Sequence, residues 1–189
     1  MPELLAENSP TTQSKYQVRF DIGRESLARV GAADIVVWVD ALGLGDTAAV
    51  LEALEAPTSV VVAGLTNRRA VAQWVLDQQV GRGSRVSIAV VAAGREGGFA
   101  SSDLLAAGAV IDALVALGID FTSPEAAVAC AAFEGLKNAV GHLFTASVSG
   151  QELIADGQRD RVSAAAKVDS STEVTVLRLA SELGRATVA

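Results

Sequence analysis

The chain has 189 residues, half of them apolar and only 4% aromatic, with a formal net charge of −7 and one cysteine. That length bounds one domain with a full core and would cramp two. The acidic balance argues against nucleic acid or an anionic membrane as partner, and a lone cysteine excludes an intrachain disulfide. No apolar run is long enough to span a bilayer, and no charged-then-apolar leader pattern opens the chain, so a cytoplasmic protein is expected.

Residues 1–14 are mixed and turn-rich and read as a flexible tail, with one domain expected over 15–189. Residues 16–20 alternate like a half-buried strand ending at Asp21-Ile22-Gly23, and a short helix is expected over 24–30. Ile35-Val36-Val37-Trp38-Val39 is unbroken apolar sequence of strand length, the pattern of a strand buried on both faces, and it stops at Asp40. Gly43 and Gly45 follow, then Asp46 or Thr47 as N-cap of a helix over 48–55. Pro57 breaks the chain before a second buried strand at 60–63, and Gly64 to Asn67 lead into a helix over 68–80. A third apolar strand over 85–92 ends in the glycine loop 93–98. Ser101 or Ser102 is expected to cap a helix over 103–117 that closes at Gly118.

Strand, loop and helix repeated three times predict an α/β protein, a layered α/β/α domain with a mostly parallel central sheet. The carboxyl ends of the strands would gather Asp40, Asn67 and Arg95 at one edge. Beyond residue 119 the pattern is helical. Ser123-Pro124-Glu125 opens a helix to about 137, with more helix over 138–144. Ser149-Gly150-Gln151-Glu152 reads as a capping box, a helix is expected over 158–168, and a strand over 173–177 precedes a helical tail.

His142 is the only histidine, so Ser-His-Asp and Cys-His systems have little support, and Cys130 reads as a buried small hydrophobe. No Cys and His cluster has zinc spacing. The chemistry on offer is carboxylate: Asp21, Asp40 and Asp103 each stand at a loop–element junction. Oxygen ligands of this kind suit Mg²⁺, which binds through one or two carboxylates plus substrate phosphate. Asp40 has an alternative reading, the orientation of loop amides. Arg68, Arg69 and Arg95 are placed to neutralise a dianion. The glycine loop matches neither the G-x-G-x-x-G nor the G-x-x-x-x-G-K-[ST] pattern.

Residues 92–114, AAGREGGFASSDLLAAGAVIDAL, resemble the helix-entry motif of the 2-phosphosulfolactate phosphatase (ComB-like) family. VVWVDALGLGDT resembles that family's strand-aspartate block, GLTNRRAVAQWV its Asn-capped helix and SVSGQELIADG its Ser-Gly-x-x-Leu segment, in the same order. The resemblance implies a mixed sheet, Mg²⁺ as cofactor and hydrolysis of a phosphate ester on a small carboxylic or sulfonic acid, with room for a homodimer. By the same resemblance, Asp40 and Asp103 are catalytic, and Asp40, Asp103 and Asp21 hold the metal. Gly43, Gly45, Thr47, Asn67, Arg68, Gly94, Arg95 and Ser149 would bind substrate.

This chain also departs from the family pattern. Its aspartate is followed by Ala41-Leu42-Gly43 in place of an arginine-containing run, its acidic pair is reduced to Ser102-Asp103, and Arg161 stands where an aspartate is usual. Two readings follow. One is a Mg²⁺-dependent phosphomonoesterase; the other is a catalytically degenerate relative that binds a small anion or a protein partner.

Overall fold

The computed structural model describes residues 9–54 and 57–180. Five strands, β1 (Val18–Ile22), β2 (Ile35–Val39), β3 (Ser59–Ala63), β4 (Ile88–Ala92) and β5 (Thr175–Arg178), form one sheet in the order β1-β4-β2-β3-β5. The first four run parallel, and β5 pairs antiparallel with β3, which makes the sheet mixed. Every residue of β2 and β4 is buried, as unbroken apolar sequence in a doubly covered sheet requires.

Alternation along the strands sorts the core into two layers. Val37, Val39, Val90 and Ala92 face the larger layer, packed by α3 (Arg68–Arg82), α4 (Ser101–Ala116), α5 (Pro124–Leu136), α6 (Val140–Ala146), α7 (Val148–Ala155) and α8 (Arg159–Ala165). Val36, Trp38, Ala89 and Val91 face a thinner layer made by α1 (Leu27–Val30) and α2 (Thr47–Ala53). The α4–α5 contact is a close one. A Cβ at Gly108 would lie 2.0 Å from the Ala129 carbonyl oxygen. Among the described residues, no helix is long and apolar enough to cross a membrane.

Several boundaries differ from the expected ones for local reasons. β1 begins at Val18 because Tyr16 and Gln17 belong to the turn before it, and it is not half-buried: Arg19 is only 6% exposed. Residues 9–14 are not wholly tail, since Gln13 is buried and caps β1 by exchanging two hydrogen bonds with the Phe20 main chain. β4 is shorter than expected because residues 85–87 form its approach. Neither Ser101 nor Ser102 caps α4; its N-cap is Ala100, with no side-chain acceptor. The capping serine of α7 is Ser147, which accepts from the Gly150 N–H, so Ser149 lies inside the helix. Asp46 caps α2 and Ser123 caps α5, each accepting main-chain N–H groups of the first turn. The helical tail expected at the end of the chain lies outside the described residues.

Candidate active site

β2 and β4 are neighbours in the sheet, yet the helices that follow them, α2 and α4, cover opposite faces. The chain therefore parts at their carboxyl ends, and that is where open α/β sheets form ligand crevices. A cleft of about 250 Å³ lies there, and both Asp40 and Asp103 line it.

The two carboxylates are held by main-chain donors. Asp40 directly follows β2 and accepts from the N–H groups of Leu44 (2.9 Å) and Gly45 (2.7 Å), folding the glycine loop back over itself. Asp103, in the first turn of α4, is 5% exposed and accepts from Ala41 (3.0 Å) and Gly94 (2.9 Å). It thus ties the loop after β2 to the loop after β4. Gly94 has φ +71°, and a Cβ there would meet the Gly98 carbonyl at 2.1 Å, so this tight turn demands glycine. Burial pushes the Asp103 carboxyl up to about 7, helped by the charge of Asp40 and opposed by the amides of Ala41 and Gly94.

Arg95 and Ser149 also line the cleft. Arg95 Nη2 donates to Glu152 Oε1 at 2.7 Å, joining the loop after β4 to α7 across the opening. Glu96, Glu152, Ser102, Leu42 and Leu44 complete the walls and were not anticipated as site residues. Ser102 adjoins Asp103 in sequence and was readable from that neighbour; Glu152 lies in the same segment as Ser149, but its bond to Arg95, 57 residues away, had no local signal. Trp38 was missed as well. Its indole N–H is buried without a hydrogen-bond partner among the described residues, and a Cβ at Gly45 would sit 3.4 Å from that nitrogen and 3.1 Å from Asp40 Oδ2.

Other expected site residues lie elsewhere. Asp21 points to the thin-layer side of β1, opposite Phe20, and its Oδ2 pairs with Arg29 Nη2 at 2.8 Å. Arg68 is 7% exposed and structural, held by Asp112 (2.5 Å) and Asp169 (3.1 Å) with its guanidinium over the Phe133 ring. Asn67 spends its side chain on the main chain, accepting from Gly64 and donating to Glu173. Gly43 and Gly45 shape the loop, with the Gly43 carbonyl accepting from Arg161, while Thr47 opens α2 outside the cleft. His142 is exposed. Cys130 is partly rather than fully buried, and burial together with the charges of Asp112 and Glu134 pushes its thiol up, away from reactivity. Among the described residues, no group of three or more His, Cys, Asp or Glu side chains is placed to hold a metal ion.

A doubly wound α/β domain with two carboxylates at its switch point belongs to the class that binds small ligands at the carboxyl edge of the sheet. The chain is a member of the 2-phosphosulpholactate phosphatase family, whose model matches residues 46–179. The match takes in Gly94, Arg95, Asp103 and Ser149, and Asp40 lies just upstream of it. Membership supports a phosphatase-type function. No curated protein matches the chain.

Proposed function

We propose that this protein is a Mg²⁺-dependent phosphomonoesterase acting on a small phosphorylated carboxylic or sulfonic acid. The family's reaction, 2-phosphosulfolactate to sulfolactate plus phosphate, is the first candidate. The supporting observation is the meeting of Asp40 and Asp103 in one cleft at the switch point between β2 and β4. Their hard oxygen donors fit Mg²⁺, which takes one or two protein carboxylates and leaves its other positions to water and phosphate. Each carboxylate oxygen accepts one main-chain N–H and keeps a further lone pair for a cation. When bound, the ion supplies neutralisation of the charge that develops on the phosphoryl oxygens.

The chain's own groups do the rest. Arg95, partly exposed and held by an exposed carboxylate, exchanges Glu152 for a phosphoryl oxygen. The first turn of α4 lacks a side-chain cap and presents N–H groups beside the cleft. Water attacks phosphorus as the ester P–O bond breaks. Asp103, titrating near neutrality, takes the water's proton and passes it to the leaving oxygen, which departs as the alcohol. Leu42 and Leu44 give the cleft an apolar wall and help to exclude bulk water.

One observation favours the degenerate reading: both Asp40 oxygens are engaged by the loop's own amides. A phosphate-release assay with and without Mg²⁺ on wild type, Asp40→Asn and Asp103→Asn separates the two. The phosphatase reading expects Mg²⁺-dependent turnover that both substitutions abolish. Phosphate binding that depends on Arg95, with no turnover under any condition, would establish the binding module instead.

A further inference from the structure

At the other end of the sheet, where β1, β2 and β4 begin, lies a second cleft of about 230 Å³. Five-residue strands place it roughly 15 Å from the carboxyl edge, and nothing in the phosphatase reading uses it. Its walls are cationic in an acidic chain. Lys15, Arg19 and Arg85 line it, with Asp34 as the one carboxylate.

Asp34 is already committed. Arg82 pairs with one oxygen, and Ser87 donates to the other through both its N–H and its hydroxyl, each at 2.7 Å. Burial alone would raise the Asp34 carboxyl, but the bonds from Arg82 and Ser87 prevail and hold it below its ordinary value, so it stays charged and spent. Arg19 is 6% exposed, and its guanidinium donates to the carbonyls of Tyr16, Ala32 and Ser14. Among the described residues, Arg19, Lys15 and Arg85 form no ion pair. Burial pushes the Arg19 pKa down, and the charge of Asp34 offsets that only in part, so this cation, bonded directly to carbonyls alone, is incompletely compensated.

The cleft also has an aromatic wall. The Tyr16 and Phe121 rings pack with centroids 5.4 Å apart, and Phe121 remains 45% exposed although it is a large apolar side chain. Lys15 Nζ lies 4.8 Å above the Tyr16 ring. Positive charge and a partly exposed aromatic surface in one cleft suit a ligand with an anionic head and a flat apolar body.

We infer that this cleft is a second ligand site, specific for a small organic dianion bearing an aromatic or otherwise flat group, with Lys15, Arg19 and Arg85 holding the anion and Tyr16 and Phe121 the apolar part. The test is a titration of the full chain with phenylphosphonate and with methylphosphonate, neither of which can be hydrolysed as an ester, followed by amide NMR. Saturable shifts at Ser87 and Phe121, tighter for phenylphosphonate, are expected. A Lys15→Ala/Arg85→Ala double variant, altered only at exposed positions, should weaken this binding by roughly tenfold or more while leaving any shift at Gly94 unchanged. Ligand shifts confined to Gly94 and its neighbours, equal affinity for the two phosphonates, or Ser87 shifts that survive in the double variant would each overturn the inference. Loss of the Gly94 response alone would bear on the phosphatase cleft and leave this site standing.

Discussion

Asp103 faces Asp40 in one cleft, and burial above all, with the charge of Asp40 added, lifts the Asp103 carboxyl to about 7 although two amides favour its ionised form. The consequence for stability has a definite sign. An unfolded aspartate titrates near 3.8, so between that pH and about 7 the native state holds a proton that the unfolded chain has released. Stability therefore falls as pH rises through this window and levels off above it. Each unit of separation corresponds to about 1.4 kcal/mol, giving a penalty on the order of 4 kcal/mol at alkaline pH. Urea titrations of the metal-free protein should show the difference between wild type and Asp103→Asn changing in the wild type's disfavour from pH 4 to 7. A difference that does not vary with pH would show that Asp103 is ionised throughout.

Gly108 tests the α4–α5 packing. A methyl there meets the main chain of Ala129, which cannot move aside as a flexible side chain would. Alanine in mid-helix normally gains up to about 1 kcal/mol over glycine, but overpacking costs roughly 1–3 kcal/mol. Gly108→Ala should therefore lower the melting temperature, and Gly108→Leu should lower it further. An unchanged melting temperature for Gly108→Ala would mean that the two helices are more widely spaced.

How much of this could be read from sequence depends on how far apart the interacting residues lie. β2 and β4 were legible because double burial leaves an unbroken apolar run, Asp40 because it follows such a run, and Asp103 because it stands at the start of the helix after the glycine loop that follows β4. The strand order was not legible, since β4 inserts between β1 and β2 by contacts that no local pattern encodes. Arg68 looked like a ligand because its partners, Asp112 and Asp169, are 44 and 101 residues away. Asp21 is placed apart from the cleft for a different reason. It is the last but one residue of β1, whereas Asp40 follows β2, and alternation turns it toward Arg29 and away from the cleft. Glu152 reaches Arg95 across 57 residues and became visible only in the fold.

Arg68→Ala should then act on stability alone. Removing one partner of a buried pair costs about 3–5 kcal/mol; partial exposure of Asp112 and Asp169 moves the expectation to the lower end. Denaturation should register that loss, while KM measured well below the new melting temperature stays at the wild-type value. A raised KM in a stably folded variant would return Arg68 to the substrate site.

Trp38→Phe removes a buried N–H that has no partner among the described residues. Leaving such a donor unsatisfied costs roughly 1–3 kcal/mol, so its loss offsets much of the packing forfeited with the smaller ring. Stability within about 1 kcal/mol of wild type is expected by urea denaturation, against about 3–5 kcal/mol for a large truncation such as Trp→Ala. A loss as large as that of the alanine variant would show that the indole N–H is bonded in solution.

The Arg95–Glu152 pair offers the most direct probe of how the cleft takes an anion. Both side chains are substantially exposed, 40% and 53%, so the bond between them adds little to stability, typically about 0–1 kcal/mol. Glu152 is the nearer of two resting partners of Arg95, at 2.7 Å against 3.5 Å for Glu96. An incoming phosphate must displace Glu152, and the carboxylate then remains nearby as a like charge. Glu152→Gln keeps the shape, removes that charge and leaves the guanidinium less tightly held. Its melting temperature should match wild type, while inorganic phosphate should inhibit several-fold more strongly, an effect that shrinks as salt screens the charges. Arg95→Ala should do the reverse, weakening phosphate inhibition with equally little effect on folding. If Glu152→Gln and Arg95→Ala both leave phosphate inhibition unchanged, Arg95 bonds α7 for structural reasons and the anion enters without it.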